Sequence, residues 1–453
     1  MMTKTNNIPK DWKWVKLEDI AKWGSGGTPT STNPNYYNGE IPWLIIGDLN
    51  DGYISSSEKK ITELGLKNSS AKLIKPDSVL IAMYGSIGKL GINKIPVTTN
   101  QAIAFTEVIY DNTYNKYLFH YLLHIRSKLH SLGKGGTQKN ISQTVLKKVD
   151  FPLPPLTTQQ AIVSKIEELF SELDNGIAQL KTAQLQLKTY RQSVLKWAFE
   201  GKLTEEWRLV GMAGIEPTTS KNKKSRKSIN PTNHGLDNKL NAEREGFAPP
   251  DLPEGWIRIK LGEVANAIDP QPSHRTPPIE QNGIPFVSIK DFDSEMDKID
   301  FTHARKVSKN VLKEHQDRYT LKLGDFVIGK IGTIGKPVRI VLPQNYCLSA
   351  NIVLIQPRKI NATYLYYFFQ SSLIEKAFTA GMKATTQAAF GIQKVRELKV
   401  ELPTEKEQHQ IVQEIESRLS VADKMEESIS ASLQQAEALR QSILKRAFEG
   451  RLI

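Results

Sequence analysis

Two long stretches of the chain carry apolar residues at three- and four-residue steps. In the first, Ile162, Ile166, Leu169, Leu173, Ile177, Leu180, Leu187 and Val194 follow one another. The second runs through Ile411, Ile415, Leu419, Ala422, Met425, Ile429, Leu433, Ala436, Leu439 and Ile443. This spacing gives each helix one apolar stripe, and over about five heptads it predicts a coiled-coil seam. A helix of forty residues is roughly 60 Å long, and alone it would leave its stripe in water. Two of matching length can bury each other, and antiparallel pairing is predicted. Pro-rich Phe151–Pro155 and Pro403 set the starts, with Thr157 or Thr158 as N-cap of the first helix, and Gly201 and Gly450 mark the ends.

The two helical patterns close on nearly the same residues. Arg191-Gln-Ser-Val-Leu-Lys-Trp-Ala-Phe-Glu-Gly-Lys-Leu203 returns as Arg440-Gln-Ser-Ile-Leu-Lys-Arg-Ala-Phe-Glu-Gly-Arg-Leu452, ten of thirteen positions being identical. The segments ahead of the helices echo each other too. Trp12 to Ala21 is matched by Trp256 to Ala265, Ile41-Pro-Trp43 by Ile284-Pro-Phe286, and Gly85-Ser-Ile-Gly-Lys89 by Gly332-Thr-Ile-Gly-Lys336. Asn100-Gln-Ala102 falls opposite Ala350-Asn-Ile352. Short apolar runs bounded by turn residues, Val79–Ala82 and Phe326–Ile328, predict strands. Tyr114–Leu129 and Ala362–Ala377 carry helical spacing, so each mixed segment is predicted to be α+β.

Charge refines this picture. The net +13 divides into +7 over residues 1–156, zero over 157–200, +3 over 201–250, +5 over 251–403 and −2 over 404–453. A polyanion would therefore meet the mixed segments and not the helices. Residues 204–250, with the run Lys221-Asn-Lys-Lys-Ser-Arg-Lys227, predict a flexible linker. No apolar run is long enough for a membrane span, the first thirteen residues lack the apolar core of a signal peptide, and the one cysteine excludes a disulfide framework. A cytoplasmic protein is expected.

The motifs favour binding over catalysis. The Gly-x-x-Gly-Lys turns have two residues between their glycines where a nucleotide-binding loop needs four. A glycine turn presenting Lys89 or Lys336 suits a nucleic-acid backbone instead. Gly133-Lys-Gly-Gly-Thr-Gln-Lys-Asn140 and Gly381-Met-Lys-Ala-Thr-Thr-Gln387 hold matching places, and small residues there allow close approach. Gln138 and Gln387 suit adenine, while Lys134, Lys139 and Lys383 suit guanine or phosphate. Beyond the glutamine the copies diverge, as reading two different sequences requires. Asn33-Pro-Asn-Tyr36 departs from the amino-methyltransferase motif at its third position, and no glycine-rich cofactor loop precedes it. Asp51 with Glu58-Lys-Lys60 has the residue types of a nuclease site but no counterpart in the second half. The eight histidines show no metal-ligand pairing, so neither a catalytic nor a metal site is expected.

These residues, in order and doubled, resemble the specificity subunit of type I restriction-modification enzymes. The likeness rests on Gly26-Gly-Thr-Pro29, Ile41-Pro-Trp43, Asn100-Gln-Ala102, Gly135-Gly-Thr-Gln-Lys-Asn-Ile141, Phe151–Leu156 and the paired Ala-Phe-Glu-Gly ends. It implies two target-recognition domains, residues 1–156 and 251–403, and two helical regions, 157–203 and 404–453. The implied fold is α+β, two α/β domains joined by two long antiparallel coiled-coil helices in a pseudo-twofold repeat. The implied function is recognition of a bipartite double-stranded DNA target without catalysis. The implied partners are methyltransferase subunits, two of them, and a restriction subunit, which would carry S-adenosylmethionine, Mg²⁺ and ATP. Arg191, Phe199, Arg440 and Phe448, in the near-identical ends, are expected to dock the methyltransferase. The other reading is a coiled-coil scaffold without DNA specificity.

Overall fold

The computed structural model describes residues 8–134, 139–212, 252–273, 275–293, 297–330, 335–382 and 390–453. Its contacts divide the chain into two compact units. The first joins residues 1–183 to 428–453, and the second comprises 184–427. The division cuts across both long helices.

In the first unit the strands are β1 (Lys13–Lys16), β2 (Ala21–Ser25), β3 (Tyr37–Leu44), β4 (Gly52–Ile54), β5 (Lys60–Ile61), β6 (Val79–Ala82), β7 (Leu90–Asn93), β8 (Thr98–Thr99), β9 (Ile103–Ile109) and β10 (Asp150–Leu153). They form a five-stranded sheet in the order β2-β9-β6-β7-β4, a three-stranded sheet β5-β3-β8, and the pair β1-β10. Every residue of β6 and β7 is buried. That is why the sequence of β6 reads as a continuous apolar run and not as an alternation, while β7 buries Asn93, whose side chain bonds the Lys75 and Ile95 carbonyls. Helices α1 (Glu63–Lys67), α2 (Asn115–His124), α3 (Arg126–Leu132) and α4 (Gln143–Lys147) flank the strands.

Helix α5 (Leu156–Phe199) begins in the first unit and ends in the second, where α6 (Glu205–Met212) follows. The second unit then repeats the plan. Its strands are β11 (Ile257–Lys260), β12 (Ala265–Ile268), β13 (Ile284–Val287), β14 (Phe292–Asp293), β15 (Lys298–Ile299), β16 (Arg305–Val307), β17 (Phe326–Gly329), β18 (Pro337–Arg339), β19 (Cys347–Leu348), β20 (Ile352–Pro357) and β21 (Lys399–Leu402). The sheets β12-β20-β17-β18, β16-β13-β19 and β11-β21 correspond to those of the first unit. Helix α7 is Leu261–Val264, α8 Lys309–Arg318, α9 Ala362–Gln370, α10 Ser372–Met382 and α11 Ile392–Arg396, before α12 (Glu405–Phe448). Ile103 pairs with Ala82 and Ile352 with Gly329. The counterpart of Asn100-Gln-Ala102 is therefore Ser349-Ala-Asn351, one residue earlier than sequence matching places it.

Within each unit one half of α5 lies along one half of α12, in opposite directions. In the first, Ile162 and Ile166 join Ile443, Leu444, Ala447 and Phe448 in one core, and Arg440 pairs with Asp174 and lies 4.5 Å over the Phe170 ring. In the second, Val194, Leu195, Ala198 and Phe199 join Ile411 and Ile415, and Arg191 forks to Asp423 and Glu426. Both helices are deeply buried near their ends, where a domain supplies a third surface, and only half-buried between. Met425 and Leu439, assigned to the seam from their spacing, are 53% and 51% exposed. A two-helix stretch covers one face only.

The near-identical helix ends fill equivalent pockets, each in the domain that belongs to the other repeat. Phe448 packs 5.1 Å from the rings of Tyr117 and Tyr121 and stacks on His124 at 5.4 Å. Phe199 packs 5.3 Å from Tyr364 and 5.2 Å from Phe368. Just beyond, Gly450 and Gly201 adopt left-handed backbone angles, φ 69° and 72°. A Cβ on either would overlap a proline ring, Pro9 or Pro253. Burial thus removes Phe199 and Phe448 from the docking surface expected of them. Arg191 and Arg440 are held in ion pairs inside the chain. Residues 205–212, expected to belong to a flexible linker, form a helix because Arg208 and Thr204 reach the buried carboxylate of Glu407, which also accepts from Trp256 Nε1 at 3.0 Å.

Replacing Phe448 with alanine is expected to cost about 3–5 kcal/mol in the first unit, as for a buried phenylalanine. Hydrogen exchange should then show lost protection over 115–124 and 156–166, with 362–370 unchanged. Acid will also weaken this unit. His120 is 7% exposed, its Nδ1 has no partner, and burial, with Lys116 adding to it against Glu167, lowers its pKa from 6.5 to about 4. The unfolded chain takes up this proton near pH 6.5 and the folded one only near 4. Stability present above 6.5 is therefore lost as pH falls through that window, by about 3 kcal/mol at most. Urea midpoints between pH 7 and 4 should fall less steeply for His120→Phe than for the wild type.

Candidate nucleic-acid interface

One end of the five-stranded sheet gathers most of the motifs singled out from sequence. There β2 and β6 finish, and β7 and β9 begin. Four loops meet at this end, and backbone hydrogen bonds join them. Gly27 N donates to Thr99 O at 2.9 Å, Met83 N to Ala102 O at 2.8 Å, and Ile141 N to Met83 O at 3.0 Å. Lys134 and Asn140 exchange a further pair, and Tyr84, 47% exposed, bridges to Asn140. Gly85 and Gly88 turn the chain with φ of 61° and 82°, which lets Gly88 N reach Ala82 O at 2.9 Å.

The glycines of Gly26-Gly-Thr-Pro29 are there for close approach. A Cβ on Gly26 would overlap Thr99 and one on Gly27 would overlap Ser70. The loop is clamped from the other side by Trp43 Nε1, which donates to Gly27 O at 3.0 Å, and by Tyr37 OH, which donates to Pro29 O at 2.6 Å. Thr28 is left exposed, and its hydroxyl donates to Gln101 Oε1.

The cations expected to touch DNA divide by environment. Lys134 and Lys139 are exposed, on either side of the glycine-rich loop. Lys89 is half-buried, and its ammonium donates to the carbonyls of Ile46 at 3.3 Å and Gly47 at 3.4 Å. Two of its three N–H groups therefore brace the loop after β3. Lys336 is exposed at the equivalent turn of the second unit. Gln138, Lys383 and Gln387 lie outside the described residues. Asp51, weighed as part of a nuclease set, accepts from Leu90 N at 2.9 Å and from the Arg126 guanidinium. Among the described residues no cluster of His, Cys, Asp and Glu could hold a metal ion. Asn33 caps the turn Pro34–Tyr36 through its side chain, a local structural role.

Three of these backbone bonds recur at the equivalent end of the second unit. Lys330 N donates to Asn351 O at 2.8 Å, Phe390 N to Lys330 O at 3.1 Å, and Gly335 N to Gly329 O at 3.3 Å. The side chains on this frame differ. Met83 is replaced by Lys330, Gln101 by Ala350 and Ala102 by Asn351. Lys330 is 8% exposed and bonds Asp269 at 2.6 Å. Beside it Gln271 Oε1 lies 2.8 Å from His315 Nε2, and His315 Nδ1 lies 2.8 Å from Tyr319 OH. Burial, with Arg318 adding to it, lowers the His315 pKa to about 4. Thr28 and Gln101 sit inside two motifs quoted from the sequence but were not singled out, because their pairing across 73 positions exists only in the fold; the polar cluster of the second unit carries no motif at all.

Known proteins place this architecture. The family model for the type I restriction modification DNA specificity domain matches residues 9–182 and again 253–435, and the chain belongs to that family. It is 23% identical over 450 residues to the EcoBI specificity subunit of Escherichia coli, covering 98% of this chain and 87% of that protein. It is 24% identical to the MjaIX specificity subunit of Methanocaldococcus jannaschii over 85% and 81% of the two chains. Its fold matches a chain solved in a study of assembly and conformational transition of the type I R-M system, with a TM-score of 0.67 at 19% identity, over 98% and 99% of the chains. The HsdS subunit of Thermoanaerobacter tengcongensis matches with a TM-score of 0.54 at 18% identity over both full lengths.

Proposed function

We propose that this chain reads a split target in double-stranded DNA, one half-site with the loop cluster of each unit. In doing so it directs the methyltransferase and restriction subunits of a type I complex. The observation that carries this reading is the pair of sheet ends just described, with one backbone frame and different side chains on it. A frame that keeps these three bonds keeps the mode of docking the same, whereas changed side chains change which base edges are met. The excess positive charge on residues 1–156 and 251–403 supplies the attraction to phosphate. A coiled-coil scaffold without DNA specificity has no use for either feature.

The chain does no chemistry itself on this reading. S-adenosylmethionine, Mg²⁺ and ATP are held by the partners, and two methyltransferase subunits dock on the helical regions, at residues other than the buried Phe199 and Phe448. No helix among the described residues is long and apolar enough to cross a membrane, and the cytoplasm, where cellular DNA lies, is the place this function requires.

Binding of the full chain with its methyltransferase partner to duplex DNA, followed across salt concentrations, tests the reading. Lys134→Ala and Lys139→Ala should each reduce the slope of log K against log salt by about 0.9 and leave sequence preference unchanged. Slopes unaltered in both variants would exclude these lysines from the phosphate contacts. The same affinity for every duplex in the wild type would exclude sequence reading altogether.

A further inference from the structure

The sheet end of the first unit contains a side-chain arrangement that stability does not explain. Thr28 and Gln101, both exposed and 73 positions apart, are hydrogen-bonded to each other. A neutral bond in water returns little for ordering two side chains. Yet the segments beneath both residues are fixed. Gly26 N donates to Ile103 O at 3.2 Å, Asn100 N to Leu44 O at 3.0 Å, and Asn100 Oδ1 accepts from Ala102 N at 3.2 Å. Gly26 and Gly27 leave no room for any side chain beneath Thr28. The pair is thus an exposed polar group held still by a rigid scaffold, which is how a recognition element avoids ordering cost on binding.

The bond also sets which chemistry faces outward. Gln101 Oε1 accepts from the Thr28 hydroxyl, which takes one of its two lone pairs and fixes the carboxamide with both N–H donors available. A glutamine that reads adenine uses its oxygen and its nitrogen together, accepting from N6 and donating to N7. One whose oxygen is turned to a neighbouring hydroxyl leads with its two donors, which match an edge of acceptors, and guanine shows N7 and O6 side by side in the major groove. The second unit has Ala350 at this position and cannot read in the same way.

We propose that the Thr28–Gln101 pair is a specificity-determining element that selects guanine at one position of the half-site met by the first unit. The proposal rests on the function given above and adds to it a residue pair, a base and a half-site. Thr28 is the positioning residue and Gln101 the one that meets the base. Thr28→Val keeps the branched shape and frees the Gln101 oxygen, so this variant should admit adenine at the same position.

Methylation of a duplex library with both half-sites randomised, by the full-length chain assembled with its methyltransferase partner, provides the test. Gln101→Ala should lower the preference for guanine about ten- to hundredfold at a single position, with every other position and the second half-site unchanged. Thr28→Val should raise adenine at that position while methylation at the second half-site keeps its wild-type preference. Thermal melting of each variant reports on folding, and both exposed sites should melt as the wild type does. A wild-type two-part preference that survives unchanged in both variants overturns the assignment, as does uniform weakening across all positions. A wild-type chain with no two-part preference overturns the proposed function and the assignment with it.

Discussion

A 44-residue helix with an apolar stripe is stable only where something dry lies along it, and this chain has two. Their mutual contact covers one face. The decisive burial occurs at the ends, where Phe448 enters the pocket of Tyr117 and Tyr121 and Phe199 enters that of Tyr364 and Phe368. Each pocket is built by one repeat and filled by the other. Neither unit has its core complete without a segment from the other half of the sequence. The same requirement explains why the thirteen-residue ends are nearly identical. Two equivalent pockets inside one chain demand it, without any appeal to an outside partner.

With the ends fixed in this way, each domain is free to vary where it carries no load. The repeated bonds among Met83, Ala102 and Ile141, and among Lys330, Asn351 and Phe390, hold the loops in one arrangement. On that arrangement the first unit displays Thr28 and Gln101, while the second buries Lys330 against Asp269. A common frame with separate readers is what recognition of an asymmetric split site calls for.

Much of this was legible in the residues. Periodicity located both long helices. Gly201 and Gly450 ended them where expected, and the runs at Val79 and Phe326 became strands. What periodicity could not tell is which pocket a repeated end fills, since two copies of one sequence fit two copies of one pocket equally well. Nor could it tell how much of a stripe is covered: Met425 and Leu439 have seam spacing, yet about half of each is exposed. The helix at 205–212 depends on Glu407, two hundred positions away, and so carries no local signal. Phosphate contacts were sought among lysines, but Lys89 is partly spent on the carbonyls of Ile46 and Gly47. Thr28 and Gln101 went unnoticed because their pairing exists only once Gly26 and Gly27 close on Thr99. The counterpart of Asn100–Ala102 was misplaced by one residue, because loops of unequal length shift the register that strands restore.

Two copies of one frame, carrying different side chains, are proposed to read two different half-sites. Methylome sequencing of cells carrying the methyltransferase partner, with and without this chain, tests this directly. The expected result is a methylated motif of two unlike parts separated by an unread gap, present only when the chain is present. A single uninterrupted motif, two identical half-sites, or a methylation pattern indifferent to the chain would contradict it.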